Sequence, residues 1–176
     1  EYPRALHIVD PVMGDGGSKY PTYTDEMCDA TRGLVDGADV LTPNLTEASI
    51  LAGIAYQGQD VPVEFVQKNV EMGAKNVIIK GVVHGGESVI RNYLASAGVN
   101  GGHAVEVESD LLPYMLHGTG DLFASGLTAA IYAGRGLRAA VEFAGTLVRD
   151  AMKITREQPD YETRGVSFEP VLGEVA

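Results

Sequence analysis

The sequence has little cysteine, little positive charge and no long apolar run. A lone thiol, Cys28, rules out an internal disulfide framework and suits a reducing, cytoplasmic setting. With 13 Lys and Arg against 24 Asp and Glu, the formal net charge of −11 argues against nucleic acid or an anionic membrane surface as partner. No stretch approaches the length of a membrane span, and neither a signal segment, an internal repeat nor a low-complexity tract is present. What the chain does have is 176 residues with 45% hydrophobic content, enough for one sizeable core and a single domain over residues 1–176. It opens without Met, at EYPRALHIVDPV, and reaches a buried-type strand almost at once, as an interior cut would.

Short apolar runs alternate with amphipathic stretches. ALHIV, ADVLT and NVIIK read as buried parallel strands, each followed by a polar or proline stop. Thr24 is an N-cap for a helix through Val35 that carries Cys28 as a small apolar residue. Asn44 opens a helix ending at Gly53, and residues 62–72 show helical spacing at Val63, Val66 and Val70 before Gly73. ESVIRNYLAS and HAVEVES, separated by GVNGG, read as antiparallel strands at one edge of the sheet. Two helices follow, with core positions at Phe123, Leu127, Ala130 and Ile131, then at Ala140, Phe143, Leu147 and Ala151. The tail after Pro159 has no periodicity and is expected to lie over the surface. His7, His84 and His103 have no partners at metal spacing, and His117 beside the glycine loop is also read as structural. This order predicts a layered α/β fold with polar positions at the C-terminal ends of the strands.

Chemistry concentrates at three places. Asp10-Pro11 ends the first strand, and Asp15 sits between glycines in VMGDGGSKYP, so both acids are candidate cation ligands, although Asp-Pro and Asp-Gly are also common turn dipeptides. Thr42, Asn44 and Glu47 cluster at one strand-to-helix junction, more polar function than one cap requires. Gly118-Thr119-Gly120-Asp121 places a bare backbone loop at a helix N-terminus, where free amides and the helix dipole favour phosphate. Asp121 is then either the N-cap of that helix or a base that takes a proton from an attacking hydroxyl.

In order and spacing, these three motifs closely resemble those of the pyridoxal kinases, members of the ribokinase-like superfamily, and the resemblance runs on through Arg164-Gly165-Val166-Ser167-Phe168-Glu169-Pro170. The resemblance implies a ribokinase-like three-layer α/β/α fold with a mostly parallel central sheet and an antiparallel edge, lacking the family's N-terminal strands, lid and most of the vitamin pocket. It implies ATP-dependent phosphorylation of the hydroxymethyl group of pyridoxal and related B6 vitamers, with Mg²⁺ and K⁺ or Na⁺. Asp121 corresponds to the catalytic base beside the substrate, and Gly118, Thr119 and Gly120 to the loop holding the transferring phosphoryl group. Asp15 falls near Mg²⁺, and Asp10 and Thr42 near the monovalent cation. Asn44 and Glu47 correspond to groups orienting the triphosphate and the metal's waters, Lys80 and Gly81 to a nucleotide contact, and Tyr20 to a loop tyrosine covering the substrate. Homodimers are common among such proteins. Hydroxymethylpyrimidine kinases share the Asp-Pro-Val-Met and Thr-Pro-Asn motifs, but usually carry Cys where Asp121 stands. A truncated, non-catalytic nucleotide-binding remnant is the remaining reading.

Overall fold

β-Branched runs too short for helices become strands, and the stretches with helical spacing become helices. The computed structural model describes residues 5–58, 63–98 and 104–174, without the side chains of residues 63–65 and 174. The residues of the GVNGG turn beyond Gly98, His103 and the side chain of Val63 lie outside the described residues. In chain order the elements are β1 (Ile8–Val9), β2 (Gly14–Asp15), β3 (Ser18–Lys19), α1 (Asp25–Arg32), β4 (Val40–Leu41), α2 (Leu45–Ala52), α3 (Val63–Glu71), β5 (Asn76–Val82), β6 (Val89–Ser96), β7 (Val105–Asp110), α4 (Thr119–Tyr132) and α5 (Leu137–Arg156), followed by a 3₁₀ turn, Glu169–Glu174. No helix among the described residues is long and apolar enough to cross a membrane.

Five strands form one sheet in the order β1-β4-β5-β6-β7, with β1–β4 and β4–β5 parallel and β5–β6 antiparallel. The register of β5 on β6 shifts between Ile79, opposite Tyr93, and Val82, opposite Arg91. Lys80 and Gly81 therefore face the single residue Asn92, a β-bulge of the kind that re-aims side chains. β1 and β4 are shorter than their apolar runs suggest, because each keeps only two residues in the ladder.

The chain divides into two compact units. The first comprises Glu1–Glu87 and Arg91–Glu106, the second Ser88–Ile90 and Val107–Ala176. In the first, Val35, Leu41, Ala48, Val66, Val77 and Ile79 are among the fully or nearly fully buried side chains of one apolar cluster. Cys28 is buried in it, as a small apolar residue would be. α1 starts where predicted, with the Thr24 hydroxyl accepting the Met27 N–H at 3.2 Å, but ends at Arg32 because Gly33 caps it. In the second, Leu122, Leu147, Ala151 and Val171 form the buried cluster, with Phe143 packed against it. Gly126 lets α4 and α5 approach so closely that a Cβ there would lie 2.7 Å from Leu147 Cδ2. The tail lies over the surface as expected, nearly all of residues 160–173 being exposed or half-buried, and it is docked there by the buried Val171 of its 3₁₀ turn.

Candidate active site

The strand-to-helix junction of the first unit is built by a capping box. The Asn44 side chain accepts the Glu47 N–H at 2.9 Å, and Glu47 Oε2 accepts the Asn44 N–H at 2.8 Å. Capping thus accounts for both residues, where composition suggested it could explain one. Glu47 is 2% exposed, and its second oxygen accepts the Met13 N–H at 3.3 Å. Burial pushes the Glu47 carboxyl up to about 7, Asp10 adding to the rise, against the opposing Lys80 charge and the two backbone amides.

That box also holds the loop carrying Asp15. Asn44 Nδ2 donates to the Gly14 carbonyl at 2.9 Å, and the Gly17 N–H donates to Thr46 Oγ1 at 2.8 Å. The loop is a tight hairpin, β2 against β3, with Gly16 and Gly17 at φ 57° and 82°. Gly17 admits no side chain, since a Cβ would lie 2.7 Å from the Tyr56 ring. Asp15 is exposed at this turn, with Oδ1 on the Gly16 N–H at 2.8 Å. Tyr20 follows the hairpin, 39% exposed, its N–H on the Met13 carbonyl at 2.9 Å. Sequence reasoning missed the hairpin and Thr46; Asp-Gly-Gly is the signal that carries the turn.

Asp10, Thr42 and Lys80 meet. The Lys80 ammonium pairs with Asp10 Oδ1, and the Thr42 hydroxyl donates to the same oxygen at 2.9 Å. The Lys80 and Asp10 side chains are only 12% and 16% exposed. Asp10 and Thr42, expected near a monovalent cation, are thus brought together, with the Lys80 ammonium as the counter-charge of Asp10 in this structure. Lys80, expected at a nucleotide contact, is held on the Asp10 carboxylate. Gly81, at φ 76°, gives its N–H to Asn92 Oδ1 at 3.2 Å, so that amide is likewise engaged. Among the described residues no group of three or more His, Cys, Asp or Glu side chains is arranged to hold a metal ion. Asp15 still fits a Mg²⁺ that keeps most of its waters, since such ions take only one or two carboxylates and this one is exposed to solvent.

In the second unit, Gly118 adopts φ 85° and caps α4 without any side-chain hydrogen bond. Its carbonyl takes the Leu122 N–H at 3.0 Å, so the amides of Thr119, Gly120 and Asp121 precede the helical ladder. Asp121 is the third residue of α4 and not its N-cap. It is exposed, and its side chain makes no hydrogen bond or ion pair among the described residues. The loop is fixed from the tail: the Val166 N–H donates to the His117 carbonyl at 2.9 Å, and the Ser167 N–H to Thr155 Oγ1 at 2.8 Å. A helix start without a side-chain cap, beside a carboxylate with no partner among the described residues, can receive negative charge on its amides while the acid accepts a proton.

Residues 1–165 match the family model described as phosphomethylpyrimidine kinase. The chain is 31% identical over 152 residues to the hydroxymethylpyrimidine/phosphomethylpyrimidine kinase of Bacillus subtilis, covering 84% of this chain and 54% of that protein. It is 32% identical over 158 residues to the pyridoxine/pyridoxal/pyridoxamine kinase of Bordetella avium, covering 88% and 52%. The crystal structure of pyridoxal kinase from Lactobacillus plantarum matches with a TM-score of 0.86 at 27% identity, over 97% of this chain and 61% of that one. The chain thus spans about half the length of these curated relatives.

Proposed function

Because the chain belongs to the phosphomethylpyrimidine kinase family and has its ribokinase-like fold, we propose that it carries the phosphoryl-transfer residues of an ATP-dependent kinase acting on the hydroxymethyl group of pyridoxal. The observation that carries this reading is the unpartnered Asp121 carboxylate at the uncapped start of α4. Asp121 takes the proton of the substrate hydroxyl as that oxygen bonds to the γ-phosphorus, while the bond to the β–γ bridging oxygen breaks and ADP leaves. The amides of the Gly118–Gly120 stretch, Thr119 included, receive the charge of the transferring group. Asp15 would hold Mg²⁺, which supplies charge neutralisation on the phosphates. Asn44 and Glu47 act indirectly, by fixing the Asp15 hairpin, and Tyr20 covers the substrate.

A second reading, a kinase of hydroxymethylpyrimidine, is favoured by the family description and by the Bacillus subtilis relative. An acid at position 121, where those enzymes usually have Cys, favours pyridoxal. The test is phosphorylation of pyridoxal and of hydroxymethylpyrimidine by the 176-residue chain with ATP and Mg²⁺, with ATP binding recorded separately. Product from pyridoxal is the expected result. Product from the pyrimidine alone would move the assignment to the second reading, and ATP binding without either product would make the chain a nucleotide-binding module.

A further inference from the structure

Asp10 and Thr42 do not fit a free monovalent cation. Such an ion needs several oxygen lone pairs turned toward it. Here the oxygen that would serve first, Asp10 Oδ1, already takes the Lys80 ammonium and the Thr42 hydroxyl, the latter at 2.9 Å. Thr42 Oγ1 also stands 3.4 Å from the Val9 carbonyl, so its own surroundings are filled by this chain's atoms. Lys80 is delivered by fixed backbone: its N–H donates to the Pro43 carbonyl at 2.8 Å, it bridges Asn44 in parallel fashion, and it lies at the β5 bulge.

We infer that the Lys80 ammonium is a tethered replacement for a monovalent cation at Asp10, so that this chain neither binds nor requires K⁺ or Na⁺ there. An ammonium carries the same single charge as K⁺, and its covalent tether gives it an effective concentration far above that of dissolved salt. With both side chains more than four-fifths buried, the pair is only weakly screened by salt. Removing the lysine charge leaves a largely buried carboxylate without its counter-charge, which a dissolved ion of suitable size can then neutralise.

The test compares thermal unfolding of the whole chain in KCl, NaCl, NH₄Cl and choline chloride at matched ionic strength. The wild-type midpoint is expected to agree across the four salts to within about 1 °C. Lys80→Met is expected to unfold several degrees lower in choline chloride and to recover saturably with K⁺ or NH₄⁺. Lys80→Arg, which keeps the charge, should stay insensitive to the choice of cation. A wild type that gains stability saturably with K⁺ over choline, or that binds Tl⁺ in a calorimetric titration, overturns the inference, and both arms are readable even if Lys80→Met does not fold. Lys80→Met that folds but shows no cation-specific recovery overturns it as well. A companion assay of turnover, expected to be equal in KCl and choline chloride, rests on the proposed kinase activity. Absence of turnover in every salt would count against that activity while leaving the stability result to decide the cation question.

Discussion

Glu47 and Asp121 are both acids at the third position of a helix, α2 and α4 respectively. Glu47 is 2% exposed, with both carboxylate oxygens held by backbone amides. Asp121 is exposed, and its carboxylate has no partner among the described residues. The difference traces to the residue three positions earlier. Asn44 brings a side chain that caps its helix and is capped in return, whereas Gly118 brings none. A side-chain cap absorbs the acid into the architecture; a glycine cap leaves both the acid and the helix amides available for chemistry.

The contrast is sharpest under substitution. Asp121→Asn should lower turnover by two or more orders of magnitude while ATP affinity and unfolding midpoint stay put, since an exposed, unpartnered group is removed. Steady-state kinetics beside equilibrium nucleotide binding checks this, and near-normal turnover would remove Asp121 from its role as base. Glu47→Ala should do the reverse, costing about 2–4 kcal/mol of folding stability because two buried amides lose their acceptor. Denaturant titration reads that cost, and a loss below about 1 kcal/mol would mean that the capping box is not needed to hold the junction.

Glu47 also predicts a pH dependence. Its carboxyl is raised from an ordinary value near 4.5 to about 7, so the native state keeps a proton that the unfolded chain releases. The sign follows: stability is greatest at and below about pH 4.5 as far as this group is concerned, and falls as pH rises through about 7. The fall attributable to Glu47 is at most about 3 kcal/mol. It should appear as the difference between the pH profiles of wild type and Glu47→Gln, measured without divalent cation. Parallel profiles would show that the group is already ionised on folding. The smallest effect on stability belongs to Asp15→Ala, within about 0.5 kcal/mol for an exposed turn residue. Its mark should be a several-fold higher Mg²⁺ concentration at half-maximal turnover. An unchanged Mg²⁺ curve would take Asp15 out of the metal's surroundings.

Much of this was written locally in the chain. Asn44-Leu45-Thr46-Glu47 spells the capping box, Thr24 its simpler counterpart, and the spacing of Leu127, Ala140, Leu147 and Ala151 gives the buried faces of α4 and α5. Other features depend on contacts that no window contains. Asp10 and Lys80 are 70 positions apart, and either alone reads as a free charge. Thr46 became a hairpin anchor only when Gly17 folded back onto it, and Asn92 became a backbone acceptor only because the β5 register slips. The docked tail was illegible for a related reason, since one buried Val171 and two backbone donors leave no periodic trace. The freedom of Asp121 is the hardest to read, because a sequence displays groups and not the absence of partners.

The bulge at Lys80 and Gly81 ties chain length to charge. Two residues of β5 face one of β6 there, and the amide of Gly81 is satisfied by the Asn92 side chain. Deleting Gly81 would return Lys80 to a regular ladder position opposite Asn92 and withdraw the irregularity that accompanies its reach to Asp10. Within this strand, loss of an uncharged residue with no side chain would act as an electrostatic mutation, turning a carboxylate with a built-in counter-charge into one that must recruit its counter-charge from solution.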